Sequence, residues 1–331
     1  MILNEEYLSS DAVSQSRLKK LLIHPQMFLN AQNDNELEEP KETTVIGDAV
    51  DIILTQNEDE FYNNFYVTDS KRPTGQMGDF VWHLYINKDK MDAEQIAYEA
   101  AGFKRDSLYV VRERFEKEGG RYYYESLVES EGKTTITSEQ KAKIDNIVDS
   151  LKNNEWTSKW INGDEDIEIH KQVPLDFEYM GQKCKGLVDI IAIDKKTNKV
   201  YPIDIKTSSV STNAWMTVFW KFRYDIQAAF YSYGIENSDV LERLGHKKKT
   251  RIMDFRFIVA NQSFPKTPLI FQTTSDVKHL GTMGGKVEGK QYEGFHQAIE
   301  RYKWHMENDL WDYPMEDYIN SGVRTISLKS V

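Results

Sequence analysis

Two aspartates and a lysine near the middle of the sequence are spaced so that their charged groups can meet. Asp189 belongs to the apolar run Gly-Leu-Val-Asp-Ile-Ile-Ala-Ile that begins at Gly186, and Asp204 and Lys206 belong to Pro-Ile-Asp-Ile-Lys-Thr. Two carboxylates held close together repel each other unless a cation offsets their charge. Hard oxygen ligands with no histidine or cysteine between them suit Mg²⁺ or Mn²⁺. Such an ion can activate water and polarise a phosphodiester.

These groups must be positioned by two β-rich runs that a polar segment joins. The joining residues 194–199, Asp-Lys-Lys-Thr-Asn-Lys, are rich in turn formers, so the runs predict an antiparallel hairpin. If Ile193 pairs with Val200, the same register places the two aspartates opposite each other. Because strand side chains alternate, the lysine shares a face with the second aspartate.

Apolar residues on both faces of the hairpin indicate a strand that is buried on both sides. Alternation predicts that Asp189 shares its face with Leu187, Ile191 and Ile193. The opposite face is expected to carry four apolar residues: Val188, Ile190, Ile203 and Ile205. Unpaired acids are rare in such a strand. A hairpin whose acids face solvent is the alternative, and the two-sided apolar pattern favours a metal site over it.

The order of the motifs resembles that of the PD-(D/E)XK nuclease superfamily, in the branch that holds the RecB nuclease domain and the RecE-type exonucleases. Three motifs carry the resemblance: Gly186-Leu-Val-Asp189, then Asp204-Ile-Lys206-Thr207, then Gln227-x-x-x-Tyr231. The resemblance implies a restriction-endonuclease-like α/β/α core around a central mixed sheet, with helical regions added at both ends of the chain.

The resemblance also implies roles for individual residues. The two aspartates would bind the metal together with the backbone carbonyl of Ile205, and the lysine would be the catalytic lysine. Gln227 and Tyr231, one turn apart on one helix face, would support the site and the DNA near it. The implied catalytic set is Asp189, Asp204, Lys206, Gln227 and Tyr231.

Two segments nearer the N-terminus extend the resemblance. The pattern Ser-x-Ser-x-Leu-Lys-x-Leu-Leu-x-x-Pro-x-x-Phe begins at Ser14. Ser14 or Ser16 can cap a helix, and Pro25 can start a second helix. We expect this helix pair to serve packing. The helix around Gly47 is similar to the family's Gly-x-x-x-His helix, whose histidine contributes to the metal site, but Asp51 holds that position here. Asp51 either replaces the imidazole as a ligand or is a solvated helix residue.

Other charged residues are candidates for secondary roles. Lys221 and Arg223 follow an aromatic segment just ahead of the Gln227 motif and could contact DNA phosphate. Glu168 begins a strand that is predicted to pair with the Asp189 run. It could be an outer acid of the site, but nothing in its spacing singles it out, which favours an exposed position. The box Thr137-Ser-Glu-Gln140 predicts the start of a helix.

Composition limits the class of protein. With 331 residues, 40% of them hydrophobic and 12% aromatic, the chain can bury a substantial core. A net charge of −11 argues against broad adhesion to nucleic acid but allows a local basic track. The single cysteine, Cys184, excludes a disulfide framework and a four-cysteine metal site within the chain. Neither a signal-peptide pattern nor a membrane-spanning run is present, so we expect a cytoplasmic protein of a bacterium or a phage-infected cell.

We therefore expect three regions. Residues 1–154 form a mainly helical region that contributes the Gly47/Asp51 helix, 155–275 form the nuclease core, and 276–331 form a C-terminal helical extension.

The expected function is a Mg²⁺-dependent (or Mn²⁺-dependent) deoxyribonuclease. By resemblance it is a RecE-type exonuclease that acts on double-stranded DNA ends in phage-type recombination or repair. The resemblance further implies a homo-oligomer that works with a single-strand annealing protein and without a membrane. The alternatives are a site-specific endonuclease of the same fold and a non-catalytic DNA-binding or assembly module.

Overall fold

The computed structural model describes residues 12–30, 39–246 and 250–326. The opening residues, on which the expectation of no signal peptide rests, lie outside these ranges. No helix within the described ranges has the length and apolar character needed to cross a bilayer. The described chain divides into two units, of which one holds residues 39–149 and the other holds residues 12–30 and 150–326.

The elements up to residue 153 are mostly helices. They are α1 Gln15–Ile23, α2 Pro25–Leu29, α3 Glu42–Thr55, α4 Glu58–Asn64, β1 Phe65–Thr68, α5 Gln76–Ile86, α6 Ala93–Ala100, α7 Leu108–Lys117, α8 Gly120–Glu129, β2 Thr134–Thr137 and α9 Ser138–Asn153. The predicted capping box at the start of α9 is confirmed. The Thr137 N–H donates to Gln140 Oε1 at 2.8 Å, and the Gln140 N–H donates to Thr137 Oγ1 at 3.1 Å.

The remaining elements mix strands and helices. They are α10 Ser158–Asn162, β3 Ile167–Tyr179, β4 Gln182–Asp194, β5 Lys199–Ser208, α11 Trp215–Lys221, α12 Tyr224–Asn237, α13 Val240–Arg243, β6 Arg251–Ile252, β7 Arg256–Asn261, β8 Leu269–Gln272, α14 Ser275–Met283, β9 Gly285–Val287, β10 Lys290–Tyr292, α15 Phe295–Asn308 and α16 Met315–Ile319. This alternation of strands and helices is typical of an α/β fold.

The unit of residues 39–149 has its own apolar core and a two-stranded parallel sheet of β1 and β2. Its core is formed by side chains of α5 to α8 and of the loop after α6, which include Met77, Phe80, Val81, Phe103 and Val111. This division differs from the three regions predicted from the sequence. The boundaries of those regions stay a prediction.

A six-stranded mixed sheet forms the centre of the other unit. Its order is β3-β4-β5-β7-β8, with β6 also paired to β5. The pairs of β5 with β6 and β7 are parallel, and the other pairs are antiparallel. Pro202, which has no N–H to donate, lies where β5 passes from pairing with β6 to pairing with β7.

Helices lie on both faces of this sheet. Buried side chains of α1, α12 and α15 form one core with β3, β4, β5 and β7. On the other face, the Trp160 ring of α10 packs on Tyr201 of β5 with the ring centroids 4.9 Å apart. The expected α/β/α architecture with a central mixed sheet is confirmed. Helix α12 is buried along most of its length, including Gln227 and Tyr231, because it lies between the sheet and other helices.

The N-terminus of the described chain is attached to the same sheet. Val13 forms a parallel bridge with Cys184 at the start of β4, and backbone bonds link Val13 to Lys183 and Lys185. Ser14 then caps α1, because its side chain accepts the N–H of Arg17. Pro25 starts α2 as predicted.

The predicted hairpin register is confirmed, because Ile193 pairs with Val200 and Ile190 pairs with Ile203. The predicted alternation along β4 is wrong at Val188, which lies in the same core as Ile191 instead of on the opposite face. The change occurs where β4 passes Gln172 of β3, whose φ of 49° is in the left-handed region. Asp189 therefore lies where the side-chain alternation changes, inside the continuous strand β4.

Candidate functional site

Strands β4 and β5 separate at the two aspartates. Within the described residues their ladder ends at the pair of Ile190 and Ile203, one position before Asp189 and Asp204. The N–H of Ile205 donates to Asp189 Oδ2 at 2.8 Å, so a side-chain carboxylate takes the place of a backbone acceptor there. Because the N–H and C=O of one strand residue point to the same side, the Ile205 carbonyl also points toward β4.

Asp204 lies deeper in the site and has two partners. It is only 2% exposed. Its Oδ1 accepts a hydrogen bond of 2.5 Å from Gln227 Nε2, and its Oδ2 forms an ion pair with the Lys206 ammonium group. The amide of Gln227 and the ammonium of Lys206 thus fix both carboxylate oxygens, which offsets much of the cost of burying this charge.

The negative charges of both aspartates act on the ammonium group of Lys206. Burial of its ammonium group would by itself lower the pKa, but the charges of Asp204 and Asp189 outweigh burial and raise the pKa above the ordinary lysine value. Lys206 is therefore protonated across the physiological pH range. It can stabilise developing negative charge or orient a water molecule, and it is a poor proton acceptor.

Tyr231 closes the site from α12. Burial, followed by the charges of Asp204 and Asp189, raises the pKa of its hydroxyl, so the ring remains a neutral phenol. The side chain of Gln15 on α1 shares a hydrogen bond with this hydroxyl. On β4 the ring lies against Gly186, where a Cβ atom would come within 2.8 Å of Tyr231 Cε1. Gly186 is thus required by the close approach of a ring.

We expect Gly186→Ala to destabilise the protein by about 1–3 kcal/mol, because the added methyl group must displace a buried ring. Urea unfolding in EDTA measures this change. Tyr231→Leu in the Gly186→Ala background should recover part of the loss, since the smaller side chain makes room for the methyl group. A double-mutant cycle with no coupling between the two positions would contradict this account.

Lys19 lies near Lys206 and Asp204, and the sequence alone does not indicate this position. Its ammonium group donates to the Phe222 carbonyl at 3.3 Å and lies 5.5 Å from the centroid of the Tyr224 ring. The Lys206 ammonium group lies 5.3 Å from the same centroid. The ammonium groups of two lysines therefore lie close to the Tyr224 ring. The sequence offers only the doublet Lys19-Lys20, and helical spacing alone does not select the first lysine.

Burial and then repulsion from Lys206 lower the pKa of Lys19 to about 8. Since the unfolded chain still holds this proton above pH 8, we expect the stability of the metal-free protein to rise between pH 8 and about pH 10.5. Lys19→Met should be more stable than the wild type below pH 8, and the difference should shrink as the pH rises. Urea midpoints at pH 7.5 and pH 10 in EDTA test this, with Lys20→Met as control for the loss of a charge. A difference that does not change with pH would contradict it.

The two residues that could contact phosphate, Arg223 and Lys221, have different surroundings in the structure. Arg223 makes a bidentate pair with buried Asp225, at 2.9 and 2.8 Å, and donates to the Glu293 carbonyl at 2.5 Å. Its guanidinium group is thus held by protein acceptors. Lys221 is exposed at the end of α11. Its role in DNA contact stays a prediction.

Asp51 lies partly buried on α3, in the unit of residues 39–149. Its backbone carbonyl accepts a bond of 2.7 Å from Thr55 Oγ1. The assignment of its carboxylate as a metal ligand stays a prediction.

The donor set where β4 and β5 part fits a divalent metal ion. It consists of the carboxylates of Asp189 and Asp204 and the Ile205 carbonyl that points toward β4. All three are hard oxygen donors, which suit Mg²⁺ or Mn²⁺ better than Zn²⁺.

Fold and site together define an α/β domain of the PD-(D/E)XK type, a nuclease superfamily. The sequence matches a family model over residues 14–312, and the chain belongs to that family, described as a PDDEXK-like domain of unknown function (DUF3799). No curated protein matches the chain.

Among solved structures, a protein from Eubacterium rectale named "Putative exonuclease" is similar to this chain. The sequence identity is 14%, the alignment covers 100% of this chain and 98% of that one, and the TM-score is 0.49.

Proposed function

We propose that this protein is a Mg²⁺- or Mn²⁺-dependent DNA nuclease. One observation carries the proposal: Asp204 binds both Gln227 and Lys206, and Asp189 acts on the same lysine from the neighbouring strand. A buried acid held by an amide and an ammonium group beside a second acid is an arrangement that a core does not need for stability. Such groupings of perturbed titratable residues mark functional sites.

Each residue has a distinct part in the proposed reaction. Asp189, Asp204 and the Ile205 carbonyl hold the divalent ion, which supplies Lewis acidity and an activated water when it is bound. Gln227 keeps the Asp204 carboxylate in one orientation. Lys206, which stays protonated, faces the negative charge that builds up on the phosphate oxygens. Tyr231 contributes a neutral phenol ring that packs α12 against β4.

Lys19 is proposed to contact the phosphate next to the reacting one. An ammonium group has three N–H donors, and among the described residues one acceptor, the Phe222 carbonyl, is found for this group. The half-buried position of Lys19 beside Lys206 gives a local positive field in a protein whose net charge is −11. Lys221 is proposed as an outer phosphate contact, because it is exposed on the helix that leads to α12.

The order of the sequence motifs supports a narrower proposal. We infer that the protein is a RecE-type exonuclease that degrades double-stranded DNA from its ends in phage-type recombination or repair. By the same resemblance it acts as a homo-oligomer with a single-strand annealing protein in the cytoplasm.

A digestion assay on two DNA substrates tests both levels of the proposal. End-labelled linear duplex and covalently closed circles are incubated with the full-length protein in Mg²⁺, in Mn²⁺ or in EDTA. We expect digestion of the linear duplex with either metal, no digestion in EDTA and intact circles.

The other outcomes are equally informative. Circles cut as fast as linear duplex would replace the exonuclease proposal with an endonuclease. No digestion of either substrate in both metals would overturn the nuclease proposal and leave a non-catalytic DNA-binding module.

A further inference from the structure

A second group of metal-ligating side chains lies on the unit that holds the central sheet. Glu168 and His170 project from β3, and His246 follows α13. One ligand atom from each lies within 4.8 Å of the other two. Glu168 and His170 share a strand face because they are two residues apart. The group therefore joins a strand to the end of a helix.

This group is separate from the two aspartates. Across the ladder of β3 and β4, Glu168 pairs with Ile193, which is four residues beyond Asp189 along β4. At the usual rise of about 3.3 Å per strand residue, this spacing corresponds to about 13 Å. The donor atoms also differ, since imidazole nitrogens are borderline ligands and the aspartate site offers only oxygens.

The backbone around His246 is fixed by the end of α13. Gly245 adopts a φ of 83°, and the N–H of His246 donates to the Leu241 carbonyl at 2.8 Å. This is the hydrogen bond of a Schellman cap, which ties the residue after the glycine back to the helix. Val240 and Leu241 anchor the helix in the core. The backbone position of His246 is thus set by the cap of α13, and its imidazole lies near the side chains of β3.

The spacing of the ligand atoms is close to that around a tetrahedral ion. His170 Nε2 lies 2.9 Å from Glu168 Oε1, and His246 Nε2 lies 3.6 Å from Glu168 Oε2. Nitrogen and oxygen ligands at about 2.0–2.2 Å from Zn²⁺ are about 3.3–3.5 Å apart in a tetrahedron. One observed separation lies below this range and the other lies above it, and they involve the two different oxygens of the Glu168 carboxylate. Small movements of the side chains would place both imidazoles and one carboxylate oxygen around a single ion.

The group is partly open to solvent, and His170 Nε2, which is buried, makes no hydrogen bond within the described residues. The side chains of Glu168, His170 and His246 are 39%, 22% and 19% exposed. The imidazole rings lie 6.1 Å apart at an angle of 79°, so both Nε2 atoms can point at one centre without the rings colliding.

We propose that Glu168, His170 and His246 form a Zn²⁺ site that links β3 to the end of α13. Two imidazoles and one carboxylate are a known type of zinc ligand set, and they leave a fourth position for water or another ligand. The alternative is a carboxylate that accepts hydrogen bonds from two imidazoles without a metal. In that arrangement both histidines must carry a proton on Nε2, whereas a metal requires that neither does.

Zinc titration of the full-length protein distinguishes these arrangements. Protein stripped with a chelator is titrated with Zn²⁺ in competition with a chromophoric chelator, in excess Mg²⁺. We expect one tightly bound Zn²⁺ per chain and an upward shift of Tm. His170→Ala and His246→Ala should each weaken Zn²⁺ binding by more than about 100-fold, since removal of a ligand costs at least as much as loss of a supporting partner.

Two further variants make the test decisive. His279→Ala, which removes an exposed histidine on α14, should leave Zn²⁺ binding unchanged. Glu168→Gln replaces either histidine variant that fails to fold, and it should also weaken binding. No saturable binding, or binding that His170→Ala and His246→Ala leave intact, would overturn the proposal. Loss of the Zn²⁺ signal in Asp204→Asn alone would assign the ion to the aspartates and overturn it as well.

Discussion

Asp204→Asn should lower the rate of metal-dependent DNA digestion by at least about 10³-fold. The substitution removes one of two carboxylates proposed to hold the divalent ion, and such an ion is worth several kcal/mol to a phosphodiester transition state. The measurement is the initial rate on end-labelled linear duplex in Mg²⁺ and in Mn²⁺.

This substitution should leave the fold intact. Asparagine keeps an oxygen that can accept the hydrogen bond from Gln227 Nε2, and it has nearly the same volume as aspartate. The ammonium group of Lys206 loses one partner but retains the influence of Asp189. Repulsion between the two acids is also relieved, which opposes the loss of the ion pair.

Asp176→Asn is the matched control, because Asp176 is an exposed aspartate on β3 of the same sheet. It should digest DNA at the wild-type rate. If Asp204→Asn is folded and keeps its rate within about tenfold of the wild type, the carboxylate does not hold a catalytic ion and the assignment is wrong.

The sequence was sufficient for the hairpin and its register. A turn-rich segment between two apolar runs allows few pairings, and a slip by one residue would exchange the face that carries Val200 and Asp204 with the face that carries Tyr201 and Ile203. This is why the pairing of Ile193 with Val200 is found as predicted. The helical pair Gln227 and Tyr231 is likewise local, and both side chains lie buried on α12.

The change of side-chain alternation in β4 could not be predicted from the sequence pattern. Strict alternation placed Val188 on the opposite face from Ile191, but a left-handed residue on the neighbouring strand, Gln172, interrupts the pleat. Glutamine has no strong preference for that conformation, so its own identity gives no signal. The change matters for the site, since Asp189 lies at it and reaches across to the backbone of Ile205.

The positions of the charged side chains near the site also depend on tertiary contacts, which the sequence does not show. Arg223 was named as a residue that could contact DNA phosphate, and the structure shows that it adopts a φ of 53° and pairs with Asp225 two residues later. Its contact with DNA stays a prediction. Lys19 was part of a helix assigned to packing, yet its ammonium group lies near Lys206. Which lysine or arginine faces a site depends on the packing of α1 against α12, and that packing is not encoded in local spacing.

Lys206→Met should have opposite consequences in the absence and presence of metal. In EDTA it leaves the carboxylates of Asp189 and Asp204 near each other without their cation, and removal of one partner of a buried pair costs about 3–5 kcal/mol. The lower end applies, because the Lys206 side chain is 22% exposed and water screens part of the repulsion. Urea unfolding in EDTA should show this loss.

Addition of Mg²⁺ or Mn²⁺ should then stabilise Lys206→Met more than it stabilises the wild type, because a divalent ion held by the two acids replaces the missing positive charge. The rate of DNA digestion should stay about 10²–10³-fold below the wild type even in saturating metal, since the ammonium group is proposed to act on the transition state and an ion in the carboxylate site does not occupy its position. Lys183→Met, at an exposed lysine of β4, controls for the loss of one charge and should change neither quantity.

Recovery of both stability and rate on addition of metal would mean that Lys206 only balances charge. A metal effect on stability equal to that in the wild type would mean that the two acids do not share an ion.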